Sequence, residues 1–529
     1  MSSHFAIDSL AIRNGRVFGW GWFLDRGTTL ARGELLLWLE DGSEAAIPCI
    51  EGGARDDVAA VFPDVPHARN CGFMLVGSLA GAVDRGRGAR FVAELADGSR
   101  HEIRMHSLPS ASPGIPMEAR SLFAKARQLG IKGGSRAVLR RAIAGVRMLG
   151  ERWRRVRQRS SARPVAVVFD HDMGGGANVY RARLVAERLA RHGRVAIVTP
   201  QLAALECEVR VVGASGVLAC WREPDEDAVL ATLDRMTIAS VDVNNLVGFG
   251  DPLKLVRWCV DSKARGSSLV FHLHDFHSVC PAFTLIDATG RYCGVPSLDA
   301  CRACLPRNAP NTLGLSHHVD PGQWREAWAG LLRSSDRVIV FSESSAQILD
   351  RAYPWLAASG RAEVRPHDHD LMHLRAVSTG RRDVTTVGVI GNISRAKGAG
   401  IVGDLARLIH DRALPLRIVV FGTLQSSGQS SPHLLVHGPF TPDELPDLIE
   451  RYGVGVCLMP SICPETYSFV TDEIMAMGLP LAVFNIGAPA ERVARYANGE
   501  VIADITADAA LDGIMRLARR VGQADATEA

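Results

Sequence analysis

The sequence predicts an α/β protein with two Rossmann-like domains that face each other across a cleft, preceded by a small all-β, sandwich-like domain. Three observations lead to this fold class. Strand-like runs separated by Asp-Gly turns fill residues 1–108, a Pro- and Ser-rich linker follows, and from residue 163 buried strands alternate with amphipathic helices. Strands that alternate with helices form parallel sheets, so we expect the second part of the chain to be doubly wound.

Length and composition indicate an ordinary globular protein of several domains. The chain has 529 residues, of which 47% are hydrophobic and 22% charged, and its formal net charge is +3. No apolar run approaches the roughly 20 residues that cross a bilayer, and the first ten residues lack the pattern of a signal peptide. Eleven scattered cysteines in a chain of this size favour a reducing compartment. We therefore expect a cytoplasmic protein, with peripheral contact at the inner membrane face left open.

Residues 1–108 are predicted to form the β-sandwich-like accessory domain. Strand-like runs lie at 17–24, 34–40, 43–50, 91–95 and 101–105. Asp41-Gly42 and Asp97-Gly98 stand between runs, where hairpin turns are expected. Trp20, Trp22 and Trp38 would suit either a flat platform for sugars or a core. We favour core packing, because aromatic residues on alternating strands usually fill a core.

Residues 109–162 are predicted to be a linker and a basic amphipathic helix. Between 117 and 163 the sequence has 14 Lys or Arg residues against two Glu, a local balance of +12 that leaves −9 for the rest of the chain. Apolar residues recur every three to four positions from Leu139 to Val156. Such a helix suits an anionic membrane surface, and equally a neighbouring domain with the Arg face left in solvent. Nucleic acid is disfavoured, because no recognised nucleic-acid module accompanies the charge.

The first Rossmann-like domain is predicted over 163–380. A buried strand at 164–169 leads into the tight turn Gly174-Gly175-Gly176, and an amphipathic helix follows at 177–192. Glycines between a strand and a helix let the backbone approach a diphosphate or an acceptor, which makes Gly175 and Gly176 candidate ligand contacts. The turn lacks the G-x-G-x-x-G pattern of dinucleotide-binding proteins, so on its own it is a weak signal.

A histidine is the second candidate in this domain. His274 comes directly after the predicted strand 268–273, at the carboxyl end where open α/β sheets bind ligands. A neutral imidazole there can make one hydrogen bond to a sugar and can assist proton transfer. His272 and His277 lack that placement and are predicted to be core or capping residues.

A Cys-rich insertion is predicted at 275–310. It contains Cys280, Cys293, Cys301 and Cys304, and the last two form a C-x-x-C pair. Four thiolates match a structural zinc site, although the first two do not form the second close pair of a zinc ribbon. The alternative is a set of reduced, buried cysteines. We predict a structural zinc ion in this insertion and no cofactor for catalysis.

The second Rossmann-like domain is predicted over 381–522, and its first loop carries cations. The stretch from Gly388 to Gly400 reads as a strand, a loop and the start of a helix. Arg395 and Lys397 lie in that loop after Gly391 and Asn392, and all four are candidates for binding a diphosphate.

Two carboxylates mark the centre of the predicted site. A buried strand at 454–459 delivers Glu465 to a loop at its carboxyl end, and a helix that contains Glu473 starts near Ser468 and Phe469. Backbone N–H groups at that helix start form an anion site beside carboxylates that bind hydroxyl groups. This combination suits a nucleotide sugar. The other interpretation is a surface loop followed by an ordinary amphipathic helix.

The E-x7-E spacing of Glu465 and Glu473, followed by Met-Ala-Met-Gly-Leu-Pro and Gly-Ala-Pro-Ala-Glu, resembles the signature of retaining GT-B glycosyltransferases of family 4, the glycosyl transferases group 1. The resemblance covers about residues 163–520. It implies that Glu465 faces the donor sugar, that Glu473 binds the ribose of the nucleotide, and that His274 contacts the donor sugar. It also implies that the turn at 174–176 lines the cleft.

The chain departs from the family pattern at two places. Lys397 and Gly398 match the cationic loop of the family, but Asn392 occupies the usual Arg position. Residues 466–468 are Thr, Tyr and Ser, where Gly, Phe and Gly are commoner. Arg395 is a candidate to compensate for the missing cation.

The resemblance implies an enzyme of class EC 2.4, a retaining glycosyltransferase in cell-surface polysaccharide biosynthesis. Its implied partners are a nucleotide-sugar donor and a glycan or lipid-linked acceptor. Contact with an anionic membrane is left open by the basic helix, and no nucleic acid is expected. A catalytically silent sugar- or nucleotide-binding subunit is the alternative, because the departures at Asn392 and 466–468 leave room for it. A sugar-nucleotide epimerase is disfavoured, because the chain lacks an obvious extra acid/base set.

Overall fold

The structure is a computed structural model of the chain, and it describes residues 3–79, 83–108, 164–368, 371, 374–377, 386–425 and 431–527. The predicted basic helix lies outside the described residues, so its contact with a membrane stays a prediction. None of the helices in these ranges combines the length and the apolar character that crossing a membrane requires.

The first part of the chain is an antiparallel sheet of seven strands: β1 (Ser3–Arg13), β2 (Arg16–Asp25), β3 (Leu30–Trp38), β4 (Glu44–Gly53), β5 (Gly72–Ser78), β6 (Gly88–Leu95) and β7 (Arg100–Met105). Their order in the sheet is β1-β2-β5-β4-β3-β6-β7, and a short helix, α1 (Asp56–Val61), joins β4 to β5. The sheet curls around one core, since the ring centroids of Phe5 in β1 and Phe91 in β6 are 4.6 Å apart although four strands separate β1 from β6. This confirms the predicted all-β domain. The structure has one curled sheet where a sandwich would have two separate sheets.

The middle of the chain is an eight-stranded sheet made of β8 (Val165–Phe169), β9 (Arg194–Gln201), β10 (Glu206–Gly213), β11 (Gly216–Glu223), β12 (Ile238–Val243), β13 (Ser268–His272), β14 (Arg337–Val340) and β15 (Ala362–Val364). The order is β11-β10-β9-β8-β12-β13-β14-β15, and all pairs from β9 to β15 are parallel. Every residue of β8 is buried, as expected of a central strand covered by helices on both faces.

Seven helices accompany this sheet: α2 (Gly176–His192), α3 (Glu226–Leu233), α4 (Pro252–Ala264), α5 (Leu298–Cys304), α6 (Pro321–Ser334), α7 (Glu343–Ala352) and α8 (Trp355–Ser359). The Cys-rich insertion runs between β13 and α6 and contains α5 together with two 3-10 turns, Leu305–Arg307 and Ala309–Thr312. It packs on the outer edge of the sheet, where Trp324 of α6 donates a hydrogen bond to the carbonyl of His277 at 2.7 Å.

The last part of the chain is a six-stranded parallel sheet made of β16 (Thr386–Ile393), β17 (Arg417–Leu424), β18 (Leu434–Gly438), β19 (Val456–Met459), β20 (Leu481–Phe484) and β21 (Gly499–Ile502). The strand order is β18-β17-β16-β19-β20-β21. The helices are α9 (Ala399–Asp411), α10 (Leu445–Tyr452), α11 (Phe469–Ala476), α12 (Gly487–Val493) and α13 (Ala507–Thr527). Two sheets with buried parallel strands, meeting at the carboxyl ends of their strands, confirm the predicted fold class.

The described residues contain seven strands that the sequence did not predict. β1 and β5 complete the N-terminal sheet, β10 and β11 form an antiparallel hairpin at one edge, and β15 and β21 are short edge strands. β18 is the seventh, and its residues Leu434 to Val436 pair in parallel with β17. β15 and β21 have three and four residues, too few to show hydrophobic periodicity, which explains why these two were not predicted.

Candidate active site

Lys397 and Glu465 meet at the carboxyl ends of two neighbouring strands. β16 pairs in parallel with β19, so the loops that follow these strands leave the same edge of the sheet. Lys397 Nζ lies 3.8 Å from Glu465 Oε2, and the Glu465 side chain is 12% exposed against 46% for Lys397. The negative charge of Glu465 is the main cause of a raised pKa for the Lys397 ammonium. The structure thus brings Lys397, a predicted diphosphate ligand, next to Glu465 at the centre of the predicted site.

A glycine makes this approach possible. Gly398 has φ +83°, and a Cβ at this position would overlap the carbonyl oxygen of Pro460, so a larger residue would push the two loops apart. The N–H of Ile462 donates to the carbonyl of Ala396 at 3.0 Å and closes the contact. The cationic loop is therefore held directly against the loop of Glu465.

The Glu465 carboxylate and backbone are both fixed. The hydroxyl of Ser461 donates a hydrogen bond to Glu465 Oε1. The carbonyl of Glu465 accepts from the N–H of Ala488 at 2.9 Å, and a Cβ on Gly487 would lie 2.7 Å from Glu465 N. The start of α12 thus packs against the backbone of Glu465, and the carboxylate is preorganised rather than free to rotate.

The turn after Glu465 keeps a glycine-like conformation without glycine. Ser468 has φ +79°, a value in the left-handed region that side chains rarely adopt. Its carbonyl accepts a hydrogen bond from Arg492 Nη2 at 3.0 Å, and Arg492 also donates to the carbonyl of Tyr467 and pairs with Asp472. The Arg492 guanidinium lies 4.3 Å from the ring centroid of Tyr467. These contacts supply the energy that holds a strained serine in place.

We expect Arg492→Ala to destabilise the second Rossmann-like domain by about 2 kcal/mol, because the half-buried Asp472 carboxylate loses its ion pair and two carbonyls lose a hydrogen bond. The side chains of Arg492 and Asp472 are only 20% and 16% exposed. Urea unfolding curves measure the change. Arg495→Ala, a matched change at an exposed site one turn away, should leave the curve unchanged. Equal curves for the two variants would contradict a structural role for the Arg492 contacts.

The remaining predicted donor-site residues surround this centre. Gly391 and Asn392 end β16, and the Asn392 side-chain oxygen accepts from the hydroxyl of Thr423 at 3.0 Å. Arg395 is exposed in the loop beside Lys397, and Glu473 is half-buried in the middle of α11. All of them lie in the second Rossmann-like domain on the side where its strands end.

His274 lies across the cleft and is held neutral. Its Nε2 donates to the side-chain oxygen of Asn244 at 2.9 Å, and its ring packs on Phe341 at 4.6 Å between centroids. Burial lowers the pKa of the imidazole well below its usual value, and the neighbouring histidines add to this effect. The hydroxyl of Thr466 donates to the carbonyl of His274 at 3.0 Å. The residue next to Glu465 is therefore bonded to the predicted sugar-contacting histidine of the other domain.

The glycine turn of the first domain touches the helix start of the second. Gly175 has φ +81°, and a Cβ on Gly176 would overlap the ring of Phe469. Four predicted site residues, Gly176, His274, Glu465 and Phe469, are thus brought to one interface between the domains. Ser344 adds to this interface, because its N–H donates to the carboxylate of Glu491 at 2.9 Å.

Sequence reasoning missed an aromatic group at this interface. His367, after β15, stacks on Phe341 at 4.0 Å and approaches Tyr467 at 4.6 Å and Phe469 at 4.9 Å. The hydroxyl of Tyr467 lies 3.0 Å from the carbonyl of His367. The position of His367 at a strand end is the same signal that identified His274, and it was overlooked because β15 itself was not predicted.

A buried network under the cleft was also missed. His272 lies between the hydroxyl of Tyr180 and the carboxylate of Asp242, each at 3.1 Å, and Arg188 donates two hydrogen bonds to Asp242 at 2.7 Å. Burial acts to raise the pKa of Asp242, but His272 and Arg188 outweigh it and the pKa is lowered. His272 and His277 are buried, so both fit the predicted core role.

The four cysteines of the insertion are close in space but are not arranged as metal ligands. Burial raises the pKa of the Cys280 thiol to about 12, with smaller contributions from the other three sulfurs. Cys304 Sγ accepts from the N–H of Ala288 at 3.4 Å, and Cys301 Sγ from Arg325 at 3.5 Å. Within the described ranges, no three His, Cys, Asp or Glu side chains are grouped to hold a metal ion. The zinc prediction therefore rests on the cysteine spacing alone.

On that spacing, elemental analysis of protein purified without chelator is expected to give one zinc ion per chain. The Cys301→Ser, Cys304→Ser double variant should lose the metal, because it removes the C-x-x-C pair. Cys220→Ser, a change at a half-buried cysteine of β11, should retain it. Carefully reduced wild-type protein without zinc would overturn the prediction.

Residues 384–520 match the family described as glycosyl transferases group 1. This segment contains Lys397, Glu465 and Glu473, and it coincides with the second Rossmann-like domain. No curated protein matches the chain.

Several solved structures have a similar fold. Sucrose-phosphate synthase from Thermosynechococcus elongatus is 16% identical over 68% of this chain and 92% of its own, with a TM-score of 0.43. Anabaena HepE in complex with UDP is 15% identical over 68% and 94%, with a TM-score of 0.40. A glycosyltransferase from Rickettsia africae is 12% identical over 69% and 92%, with a TM-score of 0.38. The assignment of fold and enzyme class rests on the family match and on the topology of the chain itself. Together they indicate a glycosyltransferase with the GT-B fold.

Proposed function

We propose that the chain is a retaining glycosyltransferase of family 4 that moves a sugar from a nucleotide-sugar donor to a hydroxyl of a glycan or lipid-linked glycan in cell-surface polysaccharide biosynthesis. One observation carries the proposal. A cation, Lys397, and a carboxylate, Glu465, lie 3.8 Å apart at the ends of adjacent parallel strands, where α/β sheets bind their ligands. The two groups suit the two parts of a nucleotide sugar, its diphosphate and its hydroxyl groups.

Lys397 is proposed to hold the departing diphosphate. That group gains negative charge as the glycosidic bond breaks, and a positioned ammonium stabilises the gain most strongly where water is excluded. The first turn of α9 begins directly after Gly398, so the positive end of the helix dipole lies beside Lys397 and adds positive potential. The pair with Glu465 keeps Lys397 charged, since it raises the pKa of the ammonium.

Glu465 is proposed to orient the donor sugar and to stabilise positive charge that develops at the anomeric carbon. Its hydrogen bond from Ser461 and the backbone contact with α12 favour a fixed carboxylate, which costs little reorganisation during the reaction. His274, kept neutral by burial, is proposed to hydrogen-bond the sugar from the opposite domain. Glu473 is proposed to bind the ribose.

Incubation with UDP-, GDP-, ADP- and CMP-sugars tests the proposal. Nucleotide release should require both one donor and a glycan acceptor, and NMR of the product should show the anomeric configuration of the donor. A thermal-shift screen with the same donors identifies the base and sugar first, because ligands that bind the native state raise its stability. Inversion at the anomeric carbon would overturn the retaining mechanism.

A catalytically silent binding subunit is the second candidate, and Asn392 favours it. In the family that the chain resembles, a cation occupies this position, whereas here a neutral amide is hydrogen-bonded to Thr423. Such a subunit would be stabilised by a nucleotide sugar in the thermal-shift screen but would release no nucleotide with any acceptor.

A further inference from the structure

The accessory β domain packs against the first Rossmann-like domain. Phe18 and Val76 of its sheet are buried together with Leu205, which follows β9. Arg16 forms an ion pair with Glu226 of α3 at 3.5 Å, and the two side chains are 14% and 5% exposed. These contacts combine buried apolar packing with a buried ion pair, so they hold the β domain against the first Rossmann-like domain.

The same β domain also reaches the second Rossmann-like domain, through Gln425. The side-chain nitrogen of Gln425 donates to the carbonyl of Glu51 in β4 at 2.8 Å, and its side-chain oxygen accepts from the N–H of Arg395 at 3.1 Å. Gln425 itself is anchored after β17, because its N–H donates to the carbonyl of Ile393 at 2.8 Å. One amide therefore joins the β domain to the cationic loop.

That loop is held from two sides. The Gln425 amide binds it at Arg395, and the N–H of Ile462 binds it at Ala396 on the side of Glu465. Lys397 follows directly, so its position depends on both contacts. If one contact were lost, the loop would be held only by the other.

The charges of Glu51 and Arg395 also favour a contact between the β domain and the loop. Burial raises the pKa of the Glu51 carboxyl, and the nearby positive charge of Arg395 opposes this rise. Glu51 Oε1 is itself fixed by the N–H of Gly33 at 2.8 Å. The β domain thus presents a fixed carbonyl and a fixed carboxyl group towards the part of the loop that carries Arg395.

We infer that Gln425 is a positioning residue through which the accessory β domain holds the Arg395–Lys397 loop in its binding geometry. The β domain is then part of the donor site and not an appended module. For the donor this inference rests on the proposed function, since the loop is assigned to the diphosphate there. The hydrogen-bonded connection itself is independent of what the loop binds.

The test compares Gln425→Ala, Gln425→Glu and a control, Gln347→Ala, at an exposed glutamine of α7. The Glu variant can still accept from Arg395 but cannot donate to the carbonyl of Glu51. Hydrogen exchange of the 394–398 segment should become about tenfold faster in both Gln425 variants, the equivalent of one or two lost hydrogen bonds. Exchange in β8 and β16 should stay unchanged, which shows that the domains remain folded.

Kinetics provide the second measurement. Both Gln425 variants should raise the KM for the donor by about tenfold, with kcat changed much less, because a loosened loop binds the diphosphate less well but still reaches it. Unchanged exchange and unchanged KM in Gln425→Ala would overturn the inference. If only Gln425→Ala, and not Gln425→Glu, loosens the loop, the contact to the β domain is irrelevant and the inference is also wrong. If no nucleotide sugar binds the wild type, the proposed function fails, while the exchange data still decide whether Gln425 holds the loop.

Discussion

Glu465→Gln is expected to lower kcat by about a hundredfold or more while the KM for the donor changes little. The amide keeps the size of the side chain and can accept from Ser461, so the loop should stay folded. It loses the negative charge that would stabilise the anomeric carbon as positive charge develops there. An interaction that strengthens in the transition state affects kcat more than binding, which is why the two constants should separate.

The control for this variant is Glu326→Gln, which removes a carboxylate from an exposed position of α6, where Glu326 pairs with the exposed Arg333. Steady-state kinetics with the donor identified by the thermal-shift screen measure all three proteins. Full transfer activity in folded Glu465→Gln would show that the site assignment is wrong, even though the fold is right.

Lys397→Ala should both raise the KM for the donor and lower kcat, with a combined loss of about a hundredfold or more in kcat/KM. The diphosphate is charged in the ground state and becomes more so as it leaves, so the ammonium contributes to binding and to the barrier. Arg407→Ala, at an exposed cation of the following helix α9, removes the same charge away from the loop and should retain activity. Wild-type kinetics for Lys397→Ala would exclude this residue from the diphosphate site.

The double variant Lys397→Ala, Glu465→Gln tests whether these two residues act together. Lys397 and Glu465 are 3.8 Å apart, so each affects the position of the other. The loss of kcat/KM in the double variant should therefore be smaller than the product of the two single losses. A loss in the double variant equal to the product of the two single losses would indicate that the groups contact different parts of the donor without coupling.

Much of the fold and the centre of the site were accessible from the sequence. The parallel strands were predicted because they are buried on both faces and read as continuous apolar runs, as in Val-Ala-Val-Val-Phe of β8. Glu465 and Lys397 were identified because each follows such a run, and the carboxyl ends of parallel strands share one edge. Their individual roles stay predictions until the variants are measured.

Contacts between distant segments were decided by the tertiary structure. His367 joins the interface through β15, a strand of three residues that is too short to produce a periodic signal. Arg492 fixes a turn 24 residues earlier in the chain, and Gln425 binds a carbonyl 374 residues away. A side chain that bonds to a backbone carbonyl leaves no trace in the partner's residue type, because every residue carries the same carbonyl.

Local pattern therefore determined which segments form buried strands and which residues stand at their ends, since both follow from burial and periodicity within a few residues. Only the packing of the three sheets decided which of those ends face one another. That choice depends on contacts such as Gly398 against Pro460, Gly176 against Phe469 and Phe18 against Leu205, where the shapes of surfaces remote in sequence must fit.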